Sequence, residues 1–169
     1  MNPPLSSQAD DLRWMTEALN EAIRAEAIDE VPVGAVVVLN GACIGRGHNA
    51  SIQSHDPTAH AEIQALRAAA QHVRNYRLVG ATIYVTVEPC LMCMGALLHA
   101  RMQRVVFGCY DSKFGAAGSL YDLSFDTRLN HQMEVTAGVA EEECRELLQR
   151  FFQKKRASSG RKGDMTKCQ

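Results

Sequence analysis

The spacing of apolar residues predicts a helix followed by a hairpin in the N-terminal part of the chain. Four apolar residues lie three or four positions apart, namely Leu12, Met15, Leu19 and Ile23. This spacing predicts an amphipathic helix over residues 10–27. Residues 33–39 form an apolar, β-branched run that ends at Asn40-Gly41, a dipeptide typical of two-residue hairpin turns. We therefore expect one strand before this turn and a second strand from Ile44 onward.

The remainder of the chain alternates between helical and strand patterns. The predicted elements are helices over residues 60–70, 89–100 and 140–156 and strands over residues 81–87, 105–107 and 134–137. Loops are predicted at residues 55–58 and 115–118, where proline, aspartate or glycine interrupts the pattern. Strands that alternate with helices indicate an α/β fold, in which helices flank a mixed sheet.

The length of the chain favours a single domain. Its 169 residues are enough to bury a sizeable core. We expect this domain to span residues 10–156, between an N-terminal extension of residues 1–9 and a polar, basic and disordered tail of residues 157–169. No apolar run approaches the roughly 18 residues of a membrane span, and the N-terminus lacks the basic start and apolar stretch of a signal peptide. A cytoplasmic protein with no membrane partner is therefore the expectation.

Charged residues are distributed unevenly along the chain. Residues 1–148 carry 11 Lys and Arg against 18 Asp and Glu, whereas residues 149–169 carry 7 against 1. A basic end on an acidic body suggests an anionic partner, although charge alone fits a solvated tail equally well. Within the basic end, Lys154, Lys155 and Arg156 directly follow Phe151 and Phe152, and these cations are suited to phosphate contacts. For the two phenylalanines, core packing is the favoured interpretation over stacking on RNA.

Of the six cysteines, only Cys90 and Cys93 lie close together in the sequence. They follow a predicted strand and Pro89, at the start of a predicted helix. Cysteines three positions apart share a helix face, and the unpaired N–H groups and positive dipole end of a first turn favour thiolates. Taken alone, the pair fits a metal site and a thioredoxin-type redox pair equally. Glu88, directly before Pro89, is interpreted as a structural residue.

A second motif, His60-Ala61-Glu62, favours the metal interpretation. His60 offers a third ligand beside the two cysteines, and three protein ligands leave a fourth zinc position for water, as in catalytic sites. A carboxylate at Glu62 is then placed to take and return protons during hydrolysis. On their own, a histidine at a helix start is usually structural and a glutamate there is an ordinary first-turn charge. In combination, the residues indicate a zinc-dependent hydrolytic site.

The combined motif H-x-E…P-C-x-x-C matches the signature of zinc-dependent nucleobase deaminases, a class that includes bacterial tRNA adenosine deaminases. Further segments resemble bacterial tRNA-specific adenosine deaminases, at residues 31–36, 49, 55–62, 75–78, 84–90, 104–108 and 115–119. The resemblance covers roughly residues 10–156. It implies a three-layer α/β/α cytidine-deaminase-like fold with a five-stranded mixed sheet, and a homodimer. It also implies deamination of adenosine to inosine at the wobble position in the anticodon stem-loop of an arginine tRNA.

The resemblance also assigns roles to individual residues. It implies one Zn²⁺ per subunit, with the ligands His60, Cys90 and Cys93, and zinc-activated hydroxide as the nucleophile. Glu62 would be the proton shuttle. Asn49 would hydrogen-bond the flipped base, Ala61 would offer its backbone to the base edge, and Asp111 would lie near the nucleotide. From the residues alone, Asn49 fits a turn residue equally well.

Three other functions remain compatible with the motifs. A free-base or nucleoside deaminase acting on guanine, cytosine or cytidine would share the zinc site but would need no basic C-terminal helix. A redox protein would use the cysteine pair without zinc. A zinc-binding module that docks RNA without catalysis would bind metal and RNA but release no ammonia.

Overall fold

The structure is a computed structural model that describes residues 7–162, with side chains described through Ser158. Its elements are α1 (Gln8–Ala27), β1 (Gly34–Leu39), β2 (Ala42–His48), α2 (Ser51–Ser54), α3 (Ala61–Val73), β3 (Thr82–Val87), α4 (Leu91–His99), β4 (Arg104–Cys109), β5 (Glu134–Thr136) and α5 (Glu141–Lys162). The strand order is β2-β1-β3-β4-β5. β1 is antiparallel to both β2 and β3, whereas β3, β4 and β5 are parallel. The predicted five-stranded mixed sheet is confirmed.

Helices cover both faces of the sheet because side chains along each central strand alternate between two apolar layers. Ile83 and Phe107 point to one side and pack with buried residues of α3 and α4. Tyr84 and Val106 point to the other side and pack with Met15 of α1 and with buried residues of α5. The architecture is therefore the predicted three-layer α/β/α fold.

A buried ion pair joins α1 to the sheet at the end where β4 begins. Two guanidinium nitrogens of Arg104 donate to the two carboxylate oxygens of Asp11 at 2.9 and 2.7 Å. The Tyr84 hydroxyl donates to the same carboxylate at 2.9 Å, and Arg104 also donates to Thr136 of β5. Because removing one partner of a buried pair typically costs about 3–5 kcal/mol, this network fixes α1 against three strands.

Some helix boundaries differ from the prediction. The prediction lacks α2, because four residues are too few to show a helical repeat. α1 begins at Gln8 rather than at residue 10, since Ser7 and Asp10 form a reciprocal capping box. The predicted extension of residues 1–9 is therefore partly helical, and residues 1–6 lie outside the described residues.

α5 extends beyond its predicted end at Arg156 and reaches Lys162, because no proline interrupts it. The first part of the segment predicted as a disordered tail is thus helical, and residues 163–169 lie outside the described residues. Both α1 and α5 carry many charged side chains. Within residues 7–162, no helix has the length and apolar character required to cross a membrane.

Candidate active site

The three predicted metal ligands lie at the N-terminal ends of two helices that start at the same end of the sheet. His60 is the N-cap of α3, Cys90 is the N-cap of α4, and Cys93 lies in the first turn of α4. The Nδ1 atom of His60 is 3.7 Å from the Cys90 sulfur and 3.6 Å from the Cys93 sulfur. The three ligand atoms all lie within 4.8 Å of one another. The fold therefore brings together the residues that the two motifs predicted.

The spacing of these atoms fits a tetrahedral zinc site. Zinc–sulfur bonds of about 2.3 Å and zinc–nitrogen bonds of about 2.0–2.1 Å place sulfur and nitrogen about 3.6 Å apart on a tetrahedron. The two observed sulfur–nitrogen distances, 3.7 and 3.6 Å, agree with this edge length. No other group of three or more His, Cys, Asp or Glu ligand atoms in the described part of the chain is arranged to hold a metal ion. The donor set leaves a fourth position, as a hydrolytic zinc site requires.

The cysteine pair already favours negative charge without a metal ion. The pKa of Cys90 is lowered to about 4, chiefly because the Cys93 thiol donates to its sulfur and also because His60 lies beside it. The pKa of Cys93 is raised, because its proton is held by Cys90 and because the thiol is buried. A metal ion bound at this position would displace that remaining proton, since metal ligation requires thiolates.

Glu62 lies in the first turn of α3, and only 3% of it is exposed. Burial raises the pKa of its carboxyl group, against the opposing effect of nearby His60. The carboxyl group also contacts the Cys93 thiol, so it lies beside the ligand group without belonging to it. A carboxyl group that is easier to protonate and lies next to a metal site is suited to both accepting and returning a proton.

Asn49 performs the capping task that His60 cannot perform, because the His60 ring faces the cysteines. The His60 side chain makes no capping hydrogen bond to α3. Instead, the Ala61 N–H donates to the side-chain oxygen of Asn49 at 2.9 Å. Asn49 follows β2. This strand lies so close to α3 that a Cβ atom on Gly47 would be 2.4 Å from the Ala61 carbonyl oxygen, so a glycine is required there. Asn49 and Ala61 are therefore both at the site. A contact from the Ala61 N–H to a base would compete with Asn49, so both proposed substrate contacts stay predictions.

Asp111 lies in the loop after β4, close to the metal-binding turn. Its side-chain oxygen accepts hydrogen bonds from the N–H groups of Lys113 and Phe114, and its own N–H donates to Glu88. The interpretation of Glu88 as structural agrees with these contacts, but the sequence did not reveal which segment it holds. The available signal in the sequence was a glutamate directly before Pro89 and Cys90. The contact of Asp111 with a nucleotide stays a prediction.

The predicted phosphate-binding cations of α5 are partly paired with Glu26, at the end of α1, and with Asp29, in the turn that follows it. Lys154 donates to Glu26 at 3.0 Å, and Lys155 donates to Asp29 at 2.5 Å. Arg156 is exposed, and no ion pair of its side chain is found among the described residues. A cleft of about 310 Å³ lies between the helices, lined by Glu26, Asp29, Phe151, Lys154, Lys155 and Ser158.

The two phenylalanines of α5 occupy different environments. Phe151 is buried and Phe152 is 41% exposed, with their rings in edge contact at 5.5 Å. Core packing is thus confirmed for Phe151. Core packing is not confirmed for Phe152, whose exposed ring is accessible to a partner.

Comparison with known proteins identifies the family of the chain. The MafB19-like deaminase family matches residues 9–156. A tRNA-specific adenosine deaminase of Haemophilus influenzae is 53% identical over 147 residues, which cover 86% of this chain and 85% of that protein. A solved structure from work on A-to-I editing by tRNA deaminases at the wobble position of transfer RNA is 43% identical. It has a TM-score of 0.78 and covers 80% of this chain and 99% of its own.

A guanine deaminase from Bacillus subtilis is similar as well. It is 37% identical with a TM-score of 0.58, and the match covers 67% of this chain and 71% of that one. An enzyme whose name specifies guanine, a free base, therefore has a similar fold. The adenosine deaminases match more of the chain at higher identity. Because it is 53% identical to one member over 86% of its own length, the chain belongs to the family of bacterial tRNA-specific adenosine deaminases.

Proposed function

We propose that this protein converts adenosine to inosine by hydrolysis at the wobble position of a tRNA anticodon, with an arginine tRNA as the substrate that the resemblance implies. One observation carries the proposal. A tetrahedral set of His60, Cys90 and Cys93 lies beside the buried Glu62 in a chain 53% identical to a tRNA-specific adenosine deaminase. We further propose a cytoplasmic homodimer with one zinc ion per subunit.

The chemistry follows from the residues around the metal position. A zinc ion held by His60, Cys90 and Cys93 would supply a water molecule of lowered pKa as the nucleophile. Glu62 would accept one proton from this water and pass it to the ring nitrogen, and would then carry the second proton of the same water to the departing amine, so that adenosine and water give inosine and ammonia. The burial of Glu62 supports this role, because it raises the carboxyl pKa and excludes competing solvent.

Substrate recognition requires that the adenine leave its stack, which costs less in a single-stranded anticodon loop than in a duplex. Asn49 is rigidly held through Ala61, and within the described residues its side-chain nitrogen donates to no protein group. We assign that nitrogen to the base. Asp111 is assigned to the neighbouring nucleotide, and the α5 cations Lys154, Lys155 and Arg156 to phosphates.

The test compares substrates with one purified preparation of the full chain under one salt condition. An anticodon stem-loop with adenosine at the wobble position, free adenosine, free cytidine and guanine are assayed for ammonia release. We expect kcat/KM for the stem-loop to exceed the other values by orders of magnitude, because remote contacts offset the cost of orienting the base. The matched control is Glu62→Gln, which should bind zinc but release ammonia slower by a factor on the order of 10² to 10⁴.

Free-base deamination is the second candidate, and the similarity to a guanine deaminase favours it. It predicts ammonia release from guanine at a rate at least equal to that from the stem-loop. Such a result would overturn the tRNA assignment and leave the zinc chemistry intact. A wild-type protein with full zinc occupancy that releases no ammonia from any of these substrates would instead be a zinc-binding module without catalysis.

A further inference from the structure

Glu88 is a buried carboxylate whose hydrogen-bond partners all belong to a single loop. Only 3% of Glu88 is exposed, and it lies directly after β3. One carboxylate oxygen accepts from the N–H groups of Ala117 and Ser119 at 3.0 and 2.9 Å. The other accepts from the Asp111 N–H at 3.0 Å and from the Ser119 hydroxyl. The two oxygens therefore hold both ends of the segment 111–119.

No Lys, Arg or His side chain forms an ion pair with Glu88 in the part of the chain that the structure describes. Its charge is instead balanced by four hydrogen-bond donors of one loop. A buried carboxylate satisfied in this way constrains the donors, since each donor left unpaired carries a desolvation penalty. The position of the segment 111–119 thus depends on Glu88.

The same segment also contacts the metal-binding turn directly. The Ala116 N–H donates to the Pro89 carbonyl oxygen at 2.9 Å, and Gly115 forms an isolated β-bridge with Cys90. A Cβ atom on Gly115 would lie 2.3 Å from a Glu88 carboxylate oxygen, so only glycine permits this approach. The segment is fastened both to the backbone of a metal ligand and to the side chain two residues before that ligand.

The segment presents exposed side chains beside the site. Phe114 is 68% exposed, and Asp111 is partly exposed at the start of the segment. Asp111 caps the turn that displays Phe114 by accepting from its N–H. A displacement of the segment would therefore move both side chains relative to the metal ligands without removing any ligand.

We propose that Glu88 is a positioning residue that sets the segment 111–119 as the nucleotide-binding wall of the site. This inference rests on the proposed function. Glu88 is not part of the group of metal-ligand atoms, and its carboxylate is fully engaged by the segment. Its contribution is therefore to substrate binding, through Asp111 and Phe114, rather than to proton transfer.

The test is Glu88→Gln in the full chain, with the anticodon stem-loop as substrate. The amide keeps the shape but replaces one accepting oxygen with a donor, so at least one loop N–H loses its partner. We expect KM to rise on the order of tenfold while kcat and zinc content stay near wild type. Ser119→Ala removes only the hydroxyl donor and should raise KM by less. Gly115→Ala places a methyl group against the Glu88 carboxylate and so displaces the carboxylate from the loop. This variant should raise KM by at least as much as Glu88→Gln.

Asp11→Asn is the matched control, since Asp11 is similarly buried but lies at the other end of the sheet, where it pairs with Arg104. It should lower the melting temperature and leave KM unchanged. A purely structural role of Glu88 would give the control's pattern, with reduced stability at constant KM, and would overturn the proposal. Loss of zinc in Glu88→Gln would overturn it as well.

Hydrogen exchange separates failure of this inference from failure of the proposed function. Glu88→Gln should speed amide exchange of residues 111–119 on the order of tenfold, with exchange in β3 unchanged. If the wild-type protein does not deaminate the stem-loop, the proposed function is wrong. The hydrogen-exchange measurement still tests whether Glu88 holds the segment 111–119. Unchanged exchange in the segment contradicts the inference even if the enzyme is active.

Discussion

The side-chain oxygen of Asn49 accepts a hydrogen bond from the Ala61 N–H at 2.9 Å, which joins the end of β2 to the first turn of α3. This contact satisfies one of the N–H groups that every helix start leaves open. The usual acceptor in such a cap is the side chain of the N-cap residue itself, but His60 directs its ring to the cysteines. The metal site and the cap therefore compete for the same residue, and Asn49 resolves that competition.

Two substitutions of Asn49 separate its capping role from its proposed contact with the base. Asn49→Asp keeps the accepting oxygen and should leave the free energy of unfolding nearly unchanged, while removal of the side-chain N–H donor lowers kcat/KM for the stem-loop on the order of tenfold or more. Asn49→Ala should lose about 1 kcal/mol of stability in addition. Chemical denaturation and steady-state kinetics measure the two effects. Full activity of Asn49→Asp would show that the donor does not contact substrate.

Replacement of Glu62 tests its role as the proton shuttle. Glu62→Gln preserves shape but can neither accept nor return a proton, so kcat should fall by a factor on the order of 10² to 10⁴. Zinc should remain near one ion per chain, because Glu62 lies beside the ligand group rather than in it. Metal analysis of the purified variant provides the control. Zinc loss in Glu62→Gln would make Glu62 a ligand and contradict the assignment.

Thiol labelling tests the metal ligands without an activity assay. Burial raises the pKa of Cys109 to about 11 and that of Cys144 to about 12, so neither thiol should react with iodoacetamide in the folded protein at pH 8. In the zinc-loaded protein, Cys90 and Cys93 should be protected by coordination. A chelator should make Cys90 reactive, because its pKa is lowered to about 4, whereas Cys93 stays buried with a raised pKa. Mass spectrometry of labelled peptides identifies the modified cysteine, and reaction of Cys90 at equal rates with and without chelator would place the metal elsewhere.

The sequence was sufficient to predict the elements whose patterns are local. The apolar run of β1 and the turn at Asn40-Gly41 depend on neighbouring residues, and both were found where predicted. The candidate metal ligands could be selected from the sequence because each motif keeps its residues within one helix start. The five-stranded sheet was expected only from family resemblance and its strand order was not predicted, because an alternating pattern identifies a strand but not its neighbours.

The polar contacts that complete the site could not be predicted, because they join residues far apart in the sequence. Glu88 reaches Ser119 across 31 positions, and Lys154 reaches Glu26 across 128. The charge distribution along the sequence predicts that the α5 cations bind phosphates, whereas the fold brings Glu26 of α1 and Asp29 of the following turn to them. Only a tertiary structure shows which charges are already neutralised.

The pairing of α1 with α5 leads to the last prediction, which concerns RNA affinity. Glu26 accepts from both Lys154 and Arg150, and these two contacts hold the pKa of its carboxyl group below its usual range. If Lys154 binds phosphate, RNA must compete with this carboxylate. Glu26→Gln removes the competing charge and should strengthen stem-loop binding several-fold at low salt, since phosphate contacts are dominated by electrostatics.

Lys154→Ala is the opposite change and should weaken binding. It should also reduce the slope of log affinity against log salt by about 0.7 to 0.9, as expected for one lost phosphate contact. The control is Asp126→Asn, which removes a partly exposed carboxylate that pairs with the exposed Arg128 elsewhere on the surface. That variant changes net charge by the same amount as Glu26→Gln, so it reports the general effect of charge on RNA affinity. Affinities are measured by fluorescence anisotropy across a salt series, with Glu62→Gln as the background to prevent turnover. Equal affinities for the Glu26→Gln and Asp126→Asn proteins, together with an unchanged salt slope for Lys154→Ala, would show that Lys154 serves only to fasten α5 to α1.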